Sequence, residues 1–336
     1  MPARSIPVPT HGRRLTAAAA VLALAACDGP QSTLNPAGVA AERIADLWWW
    51  MFGGAVVIWV LVIGLALYAT RFGDGRHDVR KARLLIVGAG AVFPTIVLAG
   101  LLVWGLRLMP ELRPPTGDAA VRVEVEGLRW WWRVTYVTPD GRRIPLANEI
   151  RLPVGQLAAF TLTSPDVIHS FWIPSLGGKM DMIPGRVTEL ALEPTRTGVF
   201  RGACAEYCGT SHALMQFGVE VMEPAAFDDW LATQAAPAEP PASPEAARGR
   251  DLFLAFGCGA CHAVRGTPAD GTIGPDLTHV GGRLTLGAGI LPNDPAAFAR
   301  WIGDTHEVKP EAEMPPFGML PEADLRALAL YLDGLT

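Results

Sequence analysis

The densest group of side chains that could bind a metal lies in one stretch of twelve residues, from Cys204 to Met215. It contains the thiols of Cys204 and Cys208, the imidazole of His212, the thioether of Met215 and, between the thiols, the carboxylate of Glu206. Thiolate, thioether and imidazole together favour copper over magnesium or calcium. A structural zinc site would close on cysteines and histidines without a methionine. The alternative is a disulfide between the two cysteines with a chance histidine nearby.

A second motif, Cys258-Gly-Ala-Cys261-His262, has the C-x-x-C-H spacing of c-type haem attachment. The two thiols would add to the haem vinyl groups, and the adjacent histidine would bind the iron from one side. A methionine is expected as the second axial ligand, either Met314 or Met319, because His/Met ligation is common in cytochromes c. A thioredoxin-like redox pair is the alternative, but the sequence around the motif lacks the strand–helix–strand pattern that such a pair requires.

Composition limits the class of protein that must carry these motifs. The 336 residues allow two or three domains. Half of the residues are hydrophobic and only 18% are charged, which indicates membrane segments. A net charge of -5 and the lack of a basic aromatic patch argue against a nucleic-acid partner. The fifth cysteine, Cys27, belongs to neither motif.

The N-terminus predicts export. Basic residues precede an apolar run that ends in small residues, which is typical of a secretory signal peptide over residues 1–26. The ending Leu24-Ala25-Ala26-Cys27 resembles the lipobox of bacterial lipoproteins, which would leave Cys27 as a lipidated N-terminus. The alternative is ordinary cleavage that leaves a free cysteine.

Residues 27–112 predict a transmembrane hairpin. Leu47–Thr70 and Leu84–Leu106 are uncharged and long enough to span a membrane, and Trp48–Trp50 suit an interfacial aromatic belt. A buried pair of soluble helices is the alternative. The connecting loop, Arg71–Arg83, has five basic residues against two aspartates, which predicts a cytoplasmic loop and both chain ends outside.

Short strand-like runs in residues 113–232 predict an antiparallel β-sandwich, whose end loops can hold a ligand cluster. Pro139-Asp-Gly141 marks a hairpin turn between two of them. A proline-rich, extended spacer follows at 233–244, and then a domain at 245–336. Its last segment, Pro321–Leu335, predicts an amphipathic helix that packs near Gly249 and Phe253. The predicted strands are Val121–Glu126, Arg133–Val137, Leu157–Thr163, Val187–Leu192 and Gly218–Met222.

The hairpin, the segment Asp166–Arg186 and the cysteine loop together resemble subunit II of the haem–copper cytochrome c oxidases, over roughly residues 40–225. The resemblance implies a cupredoxin-like domain with a binuclear copper centre, CuA, bridged by both thiolates. The implied copper ligands are His169, Cys204, the backbone carbonyl of Glu206, Cys208, His212 and Met215.

The same resemblance implies three further roles. The Glu206 carboxylate would bind magnesium where the catalytic subunit docks, and Asp181 and Arg186 would line that interface, unless they form only surface salt bridges. Trp130 would pass electrons to copper, although three aromatic residues at 130–132 are more often core packing. The chain departs from relatives at Lys81–Val87, which lacks the acidic residue often found at the mouth of a proton channel.

Residues 245–336 resemble an all-α class I cytochrome c. Met314-Pro-Pro-Phe resembles the ligand loop of that family, which implies His262 and Met314 as the axial ligands. Gly274-Pro275-Asp276-Leu277 resembles its loop on the histidine side, and His279 beyond it is not expected to bind iron.

The combination resembles the caa-type oxidases and implies an electron-transfer subunit without a catalytic site of its own. A periplasmic donor, a cytochrome c or a quinol:cytochrome c reductase, would reduce the haem. Electrons would pass to copper and then to a catalytic haem–copper subunit that reduces O2 to water. The expected location is the bacterial cytoplasmic membrane, with both termini periplasmic. Two alternatives stay open: a CuA-bearing subunit of a nitric oxide reductase, and a stand-alone electron-carrier lipoprotein.

Overall fold

The computed structural model describes residues 29–72 and 78–336. The predicted signal peptide and Cys27 lie outside the described residues, as does part of the loop between the two predicted spans. The described chain contains two long apolar helices, a β-sandwich and a helical C-terminal domain. The multidomain architecture expected from the sequence is therefore confirmed.

The two apolar helices are α1 (Val39–Phe72) and α2 (Val79–Leu112), each 34 residues long and apolar enough to cross a membrane. A π-helical stretch, Leu85–Val92, lies within α2. Both helices extend beyond the predicted spans. At the start of α1 the reason is packing: small residues, among them Ala40 and Ala41, are buried against the sandwich, where Ala41 N donates to Leu176 O at 3.3 Å.

The strands of the sandwich are β1 (Val121–Leu128), β2 (Trp131–Val137), β3 (Arg143–Ala147), β4 (Glu149–Pro153), β5 (Ala158–Thr163), β6 (His169–Trp172), β7 (Met180–Met182), β8 (Thr188–Leu192), β9 (Gly198–Cys204) and β10 (Gln216–Met222). They form two five-stranded sheets, ordered β3-β2-β1-β5-β8 and β4-β10-β9-β6-β7. Gly141, with φ of +82°, closes the predicted hairpin between β2 and β3.

Each sheet contains one parallel pair, so the prediction of purely antiparallel sheets needs correction. Strand β1 pairs with β5 in parallel, and β4 pairs with β10 in parallel. In each parallel pair the chain crosses to the other sheet before it returns to the second strand. Strand β4 of the other sheet lies between β1 and β5 in the sequence, and β5 and β8 of the other sheet lie between β4 and β10. A long crossover of this kind permits parallel pairing, which a tight hairpin does not.

An aromatic cluster fills the sandwich directly beneath the cysteine loop. Trp132 is fully buried and meets Phe171 and Phe217 edge to face, with ring centroids 5.8 and 5.2 Å away. Gly202 makes room for Phe217, since a Cβ there would lie 2.0 Å from the ring. This rigid base holds the strands from which His169 and Cys204 project.

The C-terminal domain is helical, with α4 and α7 crossing at its centre. Its elements, together with the helix that precedes the linker, are α3 (Pro224–Ala235), α4 (Pro244–Ala255), α5 (Pro295–Gly303), α6 (Thr305–Val308) and α7 (Glu322–Asp333). As predicted, α7 packs near Gly249 and Phe253: the Phe253 and Tyr331 rings lie 5.7 Å apart. The backbones approach so closely that a Cβ at Gly249 would lie 1.9 Å from Ala327 O.

We expect Gly249→Ala to destabilise the C-terminal domain by about 2 kcal/mol, because overpacking forces the two helices apart. In an open helix the same change would stabilise by about 1 kcal/mol, so the sign of the effect identifies the close approach. Thermal unfolding followed through the haem absorption would measure it. Asp251→Ala, at an exposed position of α4, is the control. A stabilised Gly249→Ala variant would contradict this packing.

The predicted linker at 233–244 includes the end of α3, and the segment after that helix is bound to the C-terminal domain. Helix α3 continues to Ala235, because the alanines and Gln234 are compatible with a helix up to the proline at 237. Beyond it, Ala238 N donates to Arg265 O at 2.9 Å, and the His279 ring bonds to Ala236 O at 3.0 Å. The linker therefore lies along the domain that it precedes.

Candidate copper and haem sites

The cysteine loop connects β9 to β10 at one end of the sandwich. Cys204 is the last residue of β9, and Met215 immediately precedes β10. Cys204 N donates to Met215 O at 2.9 Å, which closes the base of the loop. His169 begins β6, whose Phe171 pairs with Cys204. The sheet therefore brings His169 to the loop from 35 residues away in the sequence.

All six predicted copper ligands lie together. The sulfur atoms of Cys204 and Cys208 are 3.8 Å apart. Cys204 Sγ lies 3.8 Å from His169 Nδ1 and 3.2 Å from Glu206 O. Cys208 Sγ lies 3.5 Å from His212 Nδ1 and 3.8 Å from Met215 Sδ. Each sulfur thus has its own imidazole and one weaker ligand.

The arrangement and the donor set fit a binuclear copper centre. The two sulfurs lie at the centre of the cluster and each has an imidazole nitrogen beside it, so these four donors would be able to hold a pair of copper ions. Soft sulfur and imidazole donors suit copper. Met215 is fully buried, so a thioether that water cannot reach faces the cluster. The two thiols are not bonded to each other, which argues against the disulfide alternative.

The two thiols of the cluster ionise unequally. Hydrogen bonding with Cys208 and His169 lowers the pKa of Cys204 to about 3, although burial opposes it. The pKa of Cys208 is raised, because its sulfur shares a proton with Cys204 and is buried. Burial would lower the pKa of His169, but Cys204 and Asp166 raise it above its ordinary value. A metal ion would displace the shared proton, so binding releases acid.

Asp166 is a functional residue that sequence reasoning did not single out. Its carboxylate lies 2.9 Å from His169 Nε2, which leaves Nδ1 directed at Cys204. Burial opposes its ionisation, but hydrogen bonds from the Val167 amide, His169 and the Arg129 amide keep the pKa of Asp166 below its ordinary value. The carboxylate therefore fixes the orientation and tautomer of a ligand.

Asp166→Asn is expected to weaken copper binding roughly tenfold to a hundredfold, as is typical when the partner of a metal-bound histidine is changed. The amide can still bond to His169, but it lacks the charge that fixes the tautomer. Copper retention during dialysis against a graded chelator would measure the loss. Asp118→Asn, the same change at an exposed position, is the control. Equal retention in both variants would show that Asp166 has no such role.

Three charged side chains lie beside the loop, where a magnesium site was predicted. Lys179 Nζ lies 3.8 Å from Glu206 Oε2 and 3.8 Å from Asp181 Oδ1. Asp181 also accepts a hydrogen bond from Ser170 Oγ at 2.7 Å. Arg186 is exposed on the turn beyond β7. The two carboxylates thus share a cation in this structure.

The haem motif begins on a short turn after α4, with Cys258 half-buried and Cys261 exposed. His262 Nδ1 donates to Pro275 O at 2.8 Å, which leaves Nε2 as the nitrogen for iron. A Cβ at Gly274 would lie 2.5 Å from the His262 ring, so this glycine lets the loop pass over the imidazole. Burial lowers the pKa of His262 and keeps the ring neutral.

A cavity of 370 Å³ opens from this motif, lined mainly by apolar side chains. Cys258, Cys261 and His262 lie on its wall together with Met314. The shape and lining suit a haem held by two thioethers, a histidine and a methionine. Met319 is 77% exposed and lies outside the lining. Both ring nitrogens of His279 bond to backbone carbonyls, of Thr336 and Ala236, so neither is free for iron.

Trp130 lies between the two sites. Its side chain is buried, and Nε1 donates to Cys208 O at 3.0 Å. Trp130 also lines the haem-motif cavity, together with Trp131. One indole therefore contacts the copper loop and forms part of the wall of the other site. Trp132, the third aromatic of the run, is core packing.

Family comparisons match both globular regions. Residues 135–222 match the model for the periplasmic domain of cytochrome c oxidase subunit II, and residues 246–336 match the cytochrome c model. Among solved structures, the periplasmic domain of subunit II of cytochrome oxidase from Bradyrhizobium japonicum is 31% identical. It covers 36% of this chain and 97% of that one, with a TM-score of 0.34.

Curated relatives named cytochrome c oxidase subunit 2 extend the match along the chain. The protein of Alkalihalophilus pseudofirmus is 38% identical over 66% of this chain, an alignment that spans 63% of that relative's length. The Bacillus subtilis protein is 30% identical over 94% of both chains. On this extent of similarity, with a sandwich that gathers two cysteines and two histidines and a C-terminal domain with a C-x-x-C-H motif, the chain belongs to the cytochrome c oxidase subunit 2 family.

Proposed function

We propose that this chain is the electron-input subunit of a membrane terminal oxidase and has no catalytic site of its own. It takes electrons at a c-type haem and passes them through a CuA centre to a catalytic haem–copper subunit that reduces O2 to water. The single observation that carries this proposal is Trp130, which contacts the copper loop and lines the haem-motif cavity. Family membership supports the same conclusion.

The ligand assignment follows the clusters described above. Copper would be held by six donors, the Cys204 and Cys208 sulfurs and the four atoms around them, and haem would be attached through Cys258 and Cys261. His262 and Met314 are its axial ligands, since both line the cavity and Met319 does not. When bound, the haem and the copper centre supply one-electron chemistry. Trp130, which contacts both sites, is itself buried.

The internal haem domain covers Trp130, so an external donor has no direct access to this tryptophan. The donor, a periplasmic cytochrome c or a quinol:cytochrome c reductase, therefore reduces the haem first. A tethered domain also acts at a far higher effective concentration than a free protein. Hydrogen bonds between the two domains, such as that from Ser211 Oγ to Pro310 O at 2.7 Å, support a permanently docked donor.

We place the chain in a bacterial cytoplasmic membrane with two spans and both termini in the periplasm, from the basic loop and the export signal. The proposed boundaries are a lipoprotein signal at 1–26, the hairpin at 27–112, the CuA domain at 113–232, the linker at 233–244 and the haem domain at 245–336. A lipid on Cys27 would add to the anchor. A magnesium ion bound to Glu206 would replace Lys179 as its partner where the catalytic subunit docks.

Purification of the intact complex, followed by measurement of oxygen and nitric oxide consumption, tests this proposal. We expect a co-purifying haem–copper subunit and electron-donor-dependent oxygen uptake. Consumption of nitric oxide without oxygen uptake would identify the reductase alternative. A chain that purifies without any catalytic subunit and consumes neither gas would be the stand-alone carrier.

A further inference from the structure

A buried lysine lies where the haem-motif domain meets the copper domain. Lys309 is only 3% exposed, yet it forms no ion pair with a carboxylate within residues 29–72 and 78–336. It belongs to the loop that leads to Met314 and lines the same cavity. Burial of an ammonium without a counter-charge is costly, so its remaining partners must offset that cost.

Those partners are two backbone carbonyls from different domains. Lys309 Nζ donates to Trp130 O at 2.7 Å and to Gly287 O at 2.8 Å. The first carbonyl belongs to the residue whose indole contacts the copper loop. The second belongs to a haem-domain loop on the same cavity. One ammonium thus joins Trp130 to two loops of the haem domain.

The same two loops of the haem domain also form hydrogen bonds with the copper domain at the two ends of the segment from His212 to Met215. Ser211 Oγ donates to Pro310 O at 2.7 Å, next to Lys309 and one residue before His212. Gln216 N donates to Ala288 O at 3.0 Å, next to Gly287 and one residue after Met215. Two loops of the haem domain therefore contact the two ends of the segment from His212 to Met215. Lys309 belongs to one of these loops and donates a hydrogen bond to the other.

Other interdomain contacts lie away from Trp130 and would keep the domains attached without Lys309. Arg133 Nη2 donates to Thr272 O at 2.9 Å, and Arg151 Nη2 donates to Gly282 O at 3.1 Å. Loss of Lys309 would therefore loosen the loop that carries Met314 against Trp130 without releasing the domain. The two roles, attachment and alignment, are separable.

We propose that Lys309 is a positioning residue that aligns the Met314 loop of the haem domain with Trp130, so that electron transfer from haem to copper depends on its two hydrogen bonds. The proposal rests on the proposed function. Burial lowers the pKa of Lys309 to about 7. An uncharged donor can also form hydrogen bonds with the two carbonyls, so a neutral side chain at this position would keep part of the alignment.

The test is the rate at which one electron, injected photochemically at the haem of the intact complex, leaves the haem and reduces the copper centre. We expect Lys309→Met to slow this transfer about tenfold, the effect of losing about 1.4 kcal/mol of alignment free energy. Lys309→Gln keeps a donor one atom shorter, which can reach one carbonyl, and we expect a rate about threefold slower. Arg300→Met, which removes an exposed cation from the same domain, is expected to match the unchanged protein.

Haem and copper spectra that are unchanged in these variants would separate alignment from a general loss of structure. Wild-type rates in both Lys309 variants would overturn the proposal, as would equal slowing in Lys309→Met and Lys309→Gln. If Lys309→Met loses either spectrum, Lys309→Gln decides, and a wild-type rate there counts against the proposal. Absence of transfer in the unchanged protein would instead refute the proposed function.

Discussion

Cys208→Ser is expected to abolish the copper centre and, with it, the delivery of electrons to the catalytic subunit. The Cys208 sulfur lies 3.8 Å from Cys204 Sγ, 3.5 Å from His212 Nδ1 and 3.8 Å from Met215 Sδ, so it is shared by both halves of the site. A serine hydroxyl is a hard, weakly acidic donor that does not replace a bridging thiolate for copper. Metal analysis and the copper absorption and electron paramagnetic resonance spectra would measure the loss.

The haem domain should survive this change, which makes the experiment selective. The haem-motif domain has its own apolar core, so the haem absorption spectrum and reduction by a small-molecule donor should persist. Oxygen consumption supported by that donor should disappear. Thr210→Ala, an exposed position in the same loop, should retain both centres. A Cys208→Ser protein that keeps two copper ions and full turnover would exclude the bridging role.

Met314→Ala is expected to remove the low-spin His/Met signature of the haem and to lower its reduction potential. A thioether ligand raises the potential of a c-type haem, so its loss makes the haem harder to reduce. Met314 lines the cavity with His262, whereas Met319 is exposed outside it. Magnetic circular dichroism or near-infrared absorption would report the ligand, and a redox titration the potential.

The two methionines provide a matched pair for this measurement. Met319→Ala should leave the ligand signature and the potential unchanged, because its side chain has no place in the cavity lining. Loss of the His/Met signature in Met319→Ala, with Met314→Ala unaffected, would reverse the assignment. In both variants the covalent attachment through Cys258 and Cys261 should persist, since neither change alters the C-x-x-C-H motif.

Much of the fold could be predicted because its parts have strong local patterns. The two spans follow from uninterrupted apolar length, and the crossing of α4 and α7 follows from a glycine opposite an amphipathic helix. Strands β6 and β7 were not predicted as strands, since they span only four and three residues. Strand β9 was not predicted either. It ends at Cys204, which was interpreted only as part of the cysteine loop, so the alternating pattern before it was overlooked.

The copper cluster was predicted from residue types and the family resemblance, but its supporting residues were not. Asp166 and Lys309 have ordinary sequence surroundings, and only tertiary contacts give them a role. An aspartate three residues before His169 is common in turns, so spacing alone does not distinguish it. Lys309 meets Trp130 across 179 residues of sequence. No local pattern indicates a contact between two domains that have separate apolar cores.

In the proposed function, electrons pass from the haem, by way of the Trp130 contact, to copper. The most direct test mixes the fully oxidised intact complex, held without oxygen, with less than one equivalent of a protein donor and follows both chromophores. We predict that the haem is reduced first, and that its reoxidation coincides with reduction of the copper centre. Copper reduction that precedes haem reduction, or that persists unchanged when Cys258 and Cys261 are replaced by alanine, would contradict this account.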